Sequence, residues 1–209
     1  MPSSRFWPAV FAAIYDPSLI PGELAGLRRH RRELLTRARG RVVELGAGTG
    51  LNLRHYPQGL DDLLLVEPDP AMRKRLTRRA RRRGRDVRIL DATAESLPLA
   101  DHSVDTVVAT FVLCTVDDPQ RALDEIHRVL RPGGELLFVE HVRAHTPRLA
   151  GWQDRLSEPW RRFACGCRCN RATLELMRGC DFEVDVVEAA WRAMPPIVRP
   201  LAVGRAWPA

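Results

Sequence analysis

The sequence is almost devoid of lysine. Of its 33 lysine and arginine residues only Lys74 is a lysine, so the formal net charge of +7 comes almost entirely from arginine. A preference this strong is typical of GC-rich coding rather than of selection for phosphate binding. Because net charge bears on non-specific association and not on fold, we predict no nucleic-acid partner. The densest basic run, at residues 73–88, is predicted to be the solvated face of a helix.

The sequence also lacks a long apolar run, and its number of cysteines, five, is odd. No stretch approaches the roughly 18 consecutive apolar residues of a membrane span. The sequence does not start with the pattern of a secretory signal peptide, in which a basic segment, an apolar segment and small residues follow one another. Together with the odd number of cysteines, this favours free thiols in a reducing, cytoplasmic location over a set of disulfides. The stretch FWPAVFAAIY at residues 6–15 predicts a short amphipathic helix. We favour a lid over the domain for this helix; the alternative is peripheral contact with a lipid surface.

Three of the cysteines form a C-x-C-x-C run at residues 165–169. Structural zinc sites usually draw their ligands from two separated pairs with C-x₂₋₄-C spacing, and the sequence has no such second pair. We therefore predict no metal and assign the run to packing, with a redox or substrate-handling role as the alternatives. Trp152, Trp160 and Phe163 lie in the same segment, where they could line an apolar pocket or join the core.

Short apolar runs alternate with helical patterns along most of the chain. Strands are predicted at RVVELG, DLLLVE, VRIL, SVDTVVATFVL, GELLFVEHV and DFEVDVVEAA, with helices between most of them. Strongly apolar strands that alternate with helices form a parallel sheet covered on both faces. The chain has 209 residues and neither a repeat nor a linker, so we predict one domain of the α/β class.

Capping residues and glycines predict where some of these helices begin and end. Asp118 is placed to cap a helix that Pro119 begins. Asn170 is placed to cap the helix RATLELMR, which Gly179 is expected to end in the left-handed conformation. Gly40 is predicted to end a second N-terminal helix, GELAGLRRHRRELLTRARG, and LNLRHY is predicted to be a helix after the first strand.

A glycine-rich turn, VVELGAGTGLN at residues 42–52, includes the end of the first predicted strand. It does not match the dinucleotide fingerprint G-x-G-x-x-G, because the sixth position is leucine, and the Gly-Lys-Ser/Thr of a P-loop is absent. Glu44 precedes the turn, and Glu67 ends the next strand 21 residues after Gly46, the spacing at which a carboxylate accepts hydrogen bonds from ribose hydroxyls. Such acidic surroundings suit a nucleoside that carries an ammonium and a sulfonium.

These segments resemble a known family. VVELGAGTGLN, LLLVEPDPAM and ATAESLPLADHSVDTVVATFVLCTVDDPQRALDEIHRVLRPGGELLFVEHV are similar to successive motifs of class I S-adenosylmethionine-dependent methyltransferases, the type-11 group in particular. The resemblance implies a Rossmann-like fold with a seven-stranded, mostly parallel sheet and helices on both faces. It implies S-adenosyl-L-methionine as cofactor and S-adenosyl-L-homocysteine as product. The single domain at 1–209 would comprise a helical lid (1–39), a cofactor-binding core (40–142), and acceptor-side helices with C-terminal strands (143–209).

The resemblance also implies cofactor roles for residues of the first, second and fourth strands. The glycine turn is expected to line the methionine part of the cofactor, and Glu67 to bind the ribose. Thr110 and Phe111, at the end of the fourth strand, are expected near the methyl-donating end. The residues assigned to the turn are Glu44, Gly46, Ala47, Gly48, Gly50 and Asn52.

The adenine side of the cofactor is assigned to two further segments. The resemblance places Pro68 and Met72 there. Thr93 stands where family members often have the aspartate that meets the adenine amino group. Backbone groups of Ala94 or Glu95 could make that contact instead.

The methyl acceptor is a separate question, because these motifs identify the donor only. The fourth strand lacks the Asn/Asp-Pro-Pro-Tyr/Phe arrangement associated with methylation of base amino groups, which favours a small-molecule acceptor. The chain also resembles a methyltransferase-like subfamily that contains mammalian membrane-associated alkyl thiol methyltransferases, and we expect no long apolar anchor like theirs. The segments that carry this resemblance are AAIYDP, FVLCTV, FVEHVRAH, WQDRLSEPWRRFACGCRCNRATLELM and VRPLAVGRAW. The resemblance implies a soluble relative that methylates a small thiol. The alternatives are O-, C- or N-methylation of a lipophilic quinone, phenol or lipid headgroup, and a non-catalytic cofactor-binding module.

His141 and Glu140, at the end of the fifth predicted strand, are the candidate catalytic residues. A thiol with a pKa near 8.5 is already a few per cent thiolate at neutral pH, so a strong base is optional. Histidine has an ordinary pKa near neutrality, so His141 could take the proton or hold the thiolate. The alternative is a histidine that only hydrogen-bonds or shapes the pocket.

Overall fold

The computed structural model describes residues 6–209, with side chains from residue 7 onward; residues 1–5 of the predicted lid lie outside the described residues. The helices are α1 (Phe6–Gly22), α2 (Arg28–Leu35), α3 (Pro70–Arg82), α4 (Pro119–Val129), α5 (Pro147–Phe163) and α6 (Thr173–Gly179). A π-helical turn spans Glu23–Leu27, and short 3₁₀ helices span Leu51–Arg54 and Pro196–Val198. The strands are β1 (Arg41–Leu45), β2 (Asp62–Val66), β3 (Arg88–Leu90), β4 (Val104–Thr110), β5 (Leu130–His141), β6 (Phe182–Ala190) and β7 (Pro200–Pro208).

The seven strands form a sheet in the order β3-β2-β1-β4-β5-β7-β6. The five adjacent strands β3-β2-β1-β4-β5 run parallel, and β7 is antiparallel to both β5 and β6. This confirms the predicted seven-stranded, mostly parallel, Rossmann-like fold. The strand order reverses between β1 and β4, and open α/β sheets bind ligands at the carboxyl ends of the strands near such a switch point.

Apolar layers cover both faces of the sheet. Val43 packs in the layer that contains Ile126 of α4, whereas Val42 packs in the opposite layer with Leu35 of α2 and Leu76 of α3. Side chains alternate between the faces of a strand, so the continuous apolar run in β1 supplies both layers. Burying one such side chain contributes about 1.5–3 kcal/mol. No helix within residues 6–209 combines the length and apolar character needed to cross a membrane.

The N-terminal helical boundaries differ from the sequence prediction. The predicted second helix is interrupted at Gly26, whose φ of +129° is incompatible with a continuous helix, and it ends at Leu35 rather than at Gly40. Gly40, with φ +62°, instead lies in the turn into β1. The predicted helix LNLRHY is a 3₁₀ helix of four residues, Leu51–Arg54. Pro57 disfavours helical geometry in the residue before it, which limits this element.

Among the predicted caps, Asp118 is confirmed and Asn170 is wrong. Asp118 accepts a hydrogen bond from the N–H of Arg121 at 3.1 Å. Asn170 instead bonds to side chains of α5, and the cap position of α6 is Ala172. Gly179 is the last residue of α6 and is not left-handed. Asp181, with φ +57°, makes the turn into β6.

Candidate active site

The glycine turn after β1 adopts backbone angles that glycine tolerates best. Gly46, Gly48 and Gly50 have φ angles of +52°, +57° and +82°, in the left-handed region. A Cβ at Gly46 would lie 2.8 Å from Cγ2 of Val112, and a Cβ at Gly50 would lie 2.7 Å from Cδ1 of Leu76. The turn is therefore packed closely against the loop after β4 and against α3.

A cavity of about 860 Å³ lies at the carboxyl ends of the parallel strands. Residues of the predicted cofactor site line part of it, namely Gly46, Gly48, Glu67, Pro68, Met72, Thr93, Ala94, Glu95 and Phe111. Another part, called here the apolar wall, consists of Trp7, Phe11, Leu19, Trp160, Phe163, Trp191 and Met194. Small-molecule sites occupy about 300–1,000 Å³, so the space suits a nucleoside with a small acceptor beside it.

Glu67 connects the glycine turn to the start of α3. Its Oε2 accepts a hydrogen bond from the N–H of Gly48 at 2.7 Å, and its Oε1 accepts one from the N–H of Asp69 at 2.8 Å. Asp69 in turn caps α3 by accepting from the N–H of Met72. Burial raises the pKa of Glu67, and the two backbone hydrogen bonds oppose the rise. Each carboxylate oxygen can accept a second hydrogen bond, which suits a ligand that carries hydroxyl groups.

Residues 93–95 form a short turn beside Glu67 on the cavity wall. The C=O of Thr93 accepts from the N–H of Ser96 at 3.3 Å, and Oε1 of Glu95 accepts from the N–H of Asp117 at 3.1 Å. The structure thus brings this turn together with the residues at the end of β2, as the adenine assignment requires.

Three of the remaining predicted cofactor residues, Glu44, Asn52 and Thr110, belong to a separate buried network, called here the Glu44 network. Oε1 of Glu44 accepts from Nδ2 of Asn52, and its Oε2 accepts from the hydroxyl of Tyr56, both at 2.9 Å. Nδ2 of Asn52 also donates to Oγ1 of Thr110 at 3.1 Å, and its Oδ1 accepts from Nη1 of Arg31 at 2.8 Å. Burial raises the pKa of Glu44 to about 7. The predicted residues that do not line the large cavity are Glu44, Ala47, Gly50, Asn52 and Thr110.

Glu140 anchors the loop that follows β4. Phe111 begins this loop with φ +59°, a conformation that costs a bulky residue about 1–3 kcal/mol. Glu140 has no exposed surface, and its carboxylate accepts from the N–H groups of Val112 (2.8 Å), Leu113 (2.9 Å) and Cys114 (3.1 Å). Burial raises its pKa to about 7, and these hydrogen bonds oppose the rise. The carboxylate faces the loop and not the cavity, so we assign it a positioning role in place of the catalytic role expected from the sequence.

His141, the last residue of β5, lines the cavity. Its ring stacks on Phe111 with centroids 4.6 Å apart, and the ring of Trp191 lies 5.3 Å away. Burial lowers the pKa of His141 to about 3, although a backbone hydrogen bond at Val198 opposes the fall. Within residues 7–209, Nδ1 has no hydrogen-bond partner. The imidazole is therefore neutral at physiological pH. Its pKa lies well below the near-neutral value on which the predicted role as a base depended.

The segment after β5 contributes sulfur and aromatic groups to the cavity. Cys165 and Cys167 line it together with Trp160 and Phe163, whereas Trp152 is 49% exposed and lies outside it. In the described part of the chain, 6–209, no three His, Cys, Asp or Glu side chains are grouped so that they could hold a metal ion.

Sequence reasoning missed three residues that surround the site. Tyr15 of α1 borders both the large cavity and the Glu44 network, and burial raises its pKa to about 12. Trp191, just after β6, stacks on Phe111 with centroids 4.8 Å apart. Arg31 of α2 donates to Asn52. The helical spacing of the aromatic residues in α1 was a signal for Tyr15, but Trp191 and Arg31 reach the site only through the fold.

Comparison with known proteins agrees with this geometry. A family model described as a methyltransferase domain matches residues 43–138. The thiol S-methyltransferase TMT1B of Homo sapiens is 36% identical over 198 residues, which cover 89% of this chain and 79% of the human protein. A phosphatidylethanolamine N-methyltransferase of Cereibacter sphaeroides is 33% identical over 150 residues, or 69% of this chain and 71% of the bacterial protein.

A solved structure supports the same assignment. An S-adenosylmethionine-dependent methyltransferase from Thermotoga maritima, described as a possible histamine N-methyltransferase, is similar to this chain with a TM-score of 0.69 and 26% identity. The match covers 96% of this chain and 97% of that one. The chain therefore belongs to the class I, type-11 S-adenosylmethionine-dependent methyltransferases, resembles the thiol S-methyltransferases among them, and uses S-adenosylmethionine as its cofactor.

Proposed function

We propose that the protein transfers the methyl group of S-adenosylmethionine to the sulfur of a small lipophilic thiol. The observation that carries the proposal is the 36% identity, over 89% of the chain, to a human protein named as a thiol S-methyltransferase. The apolar wall supports it, because such a surface suits an acceptor that is apolar apart from its reacting atom. The partner we propose is thus a small molecule and not a nucleic acid.

For the donor, we propose that Glu67 binds the ribose hydroxyls. Gly46 and Gly48 would approach the methionine part, and Met72 with residues 93–95 would hold the adenine. All of these residues line the same large cavity. The Glu44 network would support the turn from the side without touching the cofactor, because Glu44, Asn52 and Thr110 do not line the large cavity.

The cofactor supplies an electrophilic methyl group when it is bound. This chain must align the acceptor sulfur and exclude water, and alignment of two reactants can remove about 7–11 kcal/mol from a barrier. The rings of Phe111, His141 and Trp191 pack against one another at the ends of β4 and β5. They would form a packed aromatic surface against which the acceptor is aligned. We propose that α1, which contributes Trp7 and Phe11 to the apolar wall, covers the acceptor as a lid.

The ionisation of the acceptor favours a thiol over a phenol. A thiol with a pKa near 8.5 is a few per cent ionised at pH 7, whereas a phenol with a pKa near 10 is about 0.1% ionised. His141 has its pKa lowered to about 3, so its neutral ring could accept a hydrogen bond from the acceptor but would hold a proton poorly at neutral pH. A site without a strong base therefore suits the acceptor that ionises more readily.

The pH dependence of transfer is expected to follow the thiol and not His141. With its pKa near 3, His141 stays neutral from pH 6 to 9, whereas the thiolate fraction rises about tenfold per pH unit below the thiol pKa. We expect kcat/KM for an alkyl thiol to rise with that slope in the wild type and in His141→Phe, which keeps an aromatic ring. A break in the wild-type profile between pH 6 and 7 that the variant lacks would assign the proton to His141.

A panel of acceptors tests the proposed reaction directly. Purified protein with isotopically labelled S-adenosylmethionine would be given alkyl and aryl thiols, phenols, a quinone, amines and an ethanolamine lipid, with products identified by mass spectrometry. We expect S-methylated products with the thiols and rates at least tenfold lower with the matched phenols. Boiled protein and reactions without donor are the controls.

Two results would contradict the thiol proposal. Methylation of phenols, quinones or the ethanolamine headgroup without any thiol product would favour the alternative acceptors. The lipid headgroup among them has support from the identity of 33% to a phosphatidylethanolamine N-methyltransferase. Cofactor binding without transfer to any acceptor would favour a non-catalytic module.

We also propose a cytoplasmic location. Five cysteines, an odd number, are more typical of a reducing compartment than of a disulfide framework. The alternative is peripheral binding to a lipid surface, for which Ile20 in α1 and Leu24 just after it, 54% and 75% exposed, would supply apolar contacts. Cell fractionation of the tagged protein, with a salt and a detergent wash of the membrane fraction, distinguishes the two.

A further inference from the structure

Two cysteines from distant parts of the sequence meet on the wall of the large cavity. Cys114 lies in the loop after β4 and Cys167 in the loop after α5, and their Sγ atoms are 3.8 Å apart. Both residues line the cavity. The proposed methyl transfer uses neither thiol.

The backbone holds these two loops together. The N–H of Arg168 donates to the C=O of Cys114 at 2.7 Å. A Cβ at Gly166 would lie 3.0 Å from Cγ2 of Thr115, so the absence of a side chain there permits the close approach. A disulfide requires an S–S separation of about 2.05 Å. The two Sγ atoms would therefore have to move closer from their present 3.8 Å, beside backbones that the Arg168–Cys114 hydrogen bond already pairs.

The surroundings give the two thiols different roles. The Cys114 thiol lowers the pKa of Cys167, whereas the same contact, together with burial, raises the pKa of Cys114. Cys167 therefore becomes a thiolate more readily, and the thiolate is the attacking form in disulfide exchange. Cys114 has no exposed surface, whereas Cys167 keeps 7% of its surface exposed, so Cys167 is the thiol that a ligand in the cavity reaches first.

We propose that Cys114 and Cys167 form a redox-active dithiol that reduces small lipophilic disulfides inside the cavity. Released thiols would appear beside the methyl-transfer site, and in this respect the inference rests on the proposed function. The exchange itself requires only a disulfide that fits the apolar wall. The chemical class of the substrate is a symmetrical organic disulfide, RS–SR.

The two steps balance as follows. The Cys167 thiolate attacks one sulfur of RS–SR, an S–S bond to Cys167 forms, and RS⁻ leaves. The Cys114 thiol passes its proton to that leaving thiolate, attacks Sγ of Cys167 and expels the second RS⁻, which takes a proton from water. The two cysteines lose two electrons and the substrate gains them. An external low-molecular-weight dithiol then restores the reduced pair by the same exchange.

The experiment uses the full chain, reduced and desalted without oxygen, and 2,2′-dipyridyl disulfide as the probe. A Cys165→Ser background removes the other cysteine on the cavity wall. With one equivalent of probe, we expect about two equivalents of pyridinethione, measured by absorbance. Peptide mapping by mass spectrometry should find a Cys114–Cys167 disulfide and no retained pyridylthio group.

The matched variants separate the two steps. Cys114→Ser in the same background should release one equivalent and retain the pyridylthio group on Cys167. Cys167→Ser should lower the initial rate of release at least tenfold. Cys180→Ser serves as a control, because Cys180 lies at the end of α6 and outside the cavity wall, and it should match the background.

The peptide map of the background protein decides the proposal even if a variant fails to fold. A pyridylthio group that persists on Cys167, or two unreacted thiols in protein with a native unfolding transition, would overturn it. Methyl transfer to a free thiol is measured separately in the wild-type protein, because Cys165 lines the same cavity. Thiol–disulfide exchange without methyl transfer would contradict the proposed function alone. Methyl transfer without this exchange would contradict the dithiol proposal alone.

Discussion

Replacing Glu67 by alanine is expected to weaken S-adenosylmethionine binding by about 10- to 150-fold. A hydrogen bond to a charged group is worth about 1.5–3 kcal/mol, and each 1.4 kcal/mol changes an equilibrium constant about tenfold. Glu67 lies on the cavity wall and also accepts from the N–H groups of Gly48 and Asp69. Its removal therefore takes away the proposed ribose contact and also the carboxylate that holds the glycine turn.

Isothermal titration calorimetry at 25 °C measures this change in Kd. Glu33→Ala is the matched control, because Glu33 is an exposed carboxylate of α2 that pairs with Arg29 on the same helix. The affinity of this variant for the cofactor should equal that of the wild type. Glu67→Gln keeps one carbonyl oxygen and should fall between the two. An unchanged Kd in Glu67→Ala, with a native unfolding transition, would refute the ribose assignment.

The meeting of the glycine turn with Glu67 could be predicted because its determinants are local. The glycine turn follows β1 directly, and Glu67 ends the neighbouring strand β2. The alternation of apolar runs and helices was enough to predict that these strands are parallel neighbours, so their carboxyl ends had to meet. The same locality explains why Asp118, which caps a helix three residues away, was placed correctly.

Contacts between distant residues could not be predicted in this way. A carboxylate at the end of a strand has the same sequence pattern whether it faces a substrate or, like Glu140, the backbone of a loop 26–28 residues earlier. The lowered pKa of His141 depends on burial among Phe111 and Trp191, and no local pattern encodes that burial. Asn170 matched a cap signal, but its side chain bonds to α5 instead.

Replacing Glu140 by alanine is expected to lower the free energy of unfolding by about 3–5 kcal/mol. The N–H groups of Val112, Leu113 and Cys114 would lose their acceptor at a site without exposed surface. Each buried donor without a partner costs about 1–3 kcal/mol, and partial relaxation of the loop keeps the total below the full sum. Urea unfolding at pH 7, followed by circular dichroism, measures the change.

Two further variants test whether the acceptor atoms matter and not the strand position. Glu135→Ala changes a partly exposed glutamate of the same strand and should alter stability by no more than about 0.5 kcal/mol. Glu140→Gln keeps one carbonyl acceptor but turns an NH₂ group toward backbone donors, so its loss should be intermediate. Wild-type stability in Glu140→Ala would show that the loop holds its shape without the carboxylate.

The functional consequence of Glu140→Ala should be selective. The loop that Glu140 anchors carries Phe111 and Cys114, which line the cavity, whereas Glu67 holds its position through the glycine turn and α3. Below the unfolding transition, we therefore expect KM for the thiol to rise at least fivefold while Kd for the cofactor changes by less than about threefold, under 1 kcal/mol. Equal losses in both constants would mean that the loop supports the whole site, and a positioning role confined to the acceptor side would then be wrong.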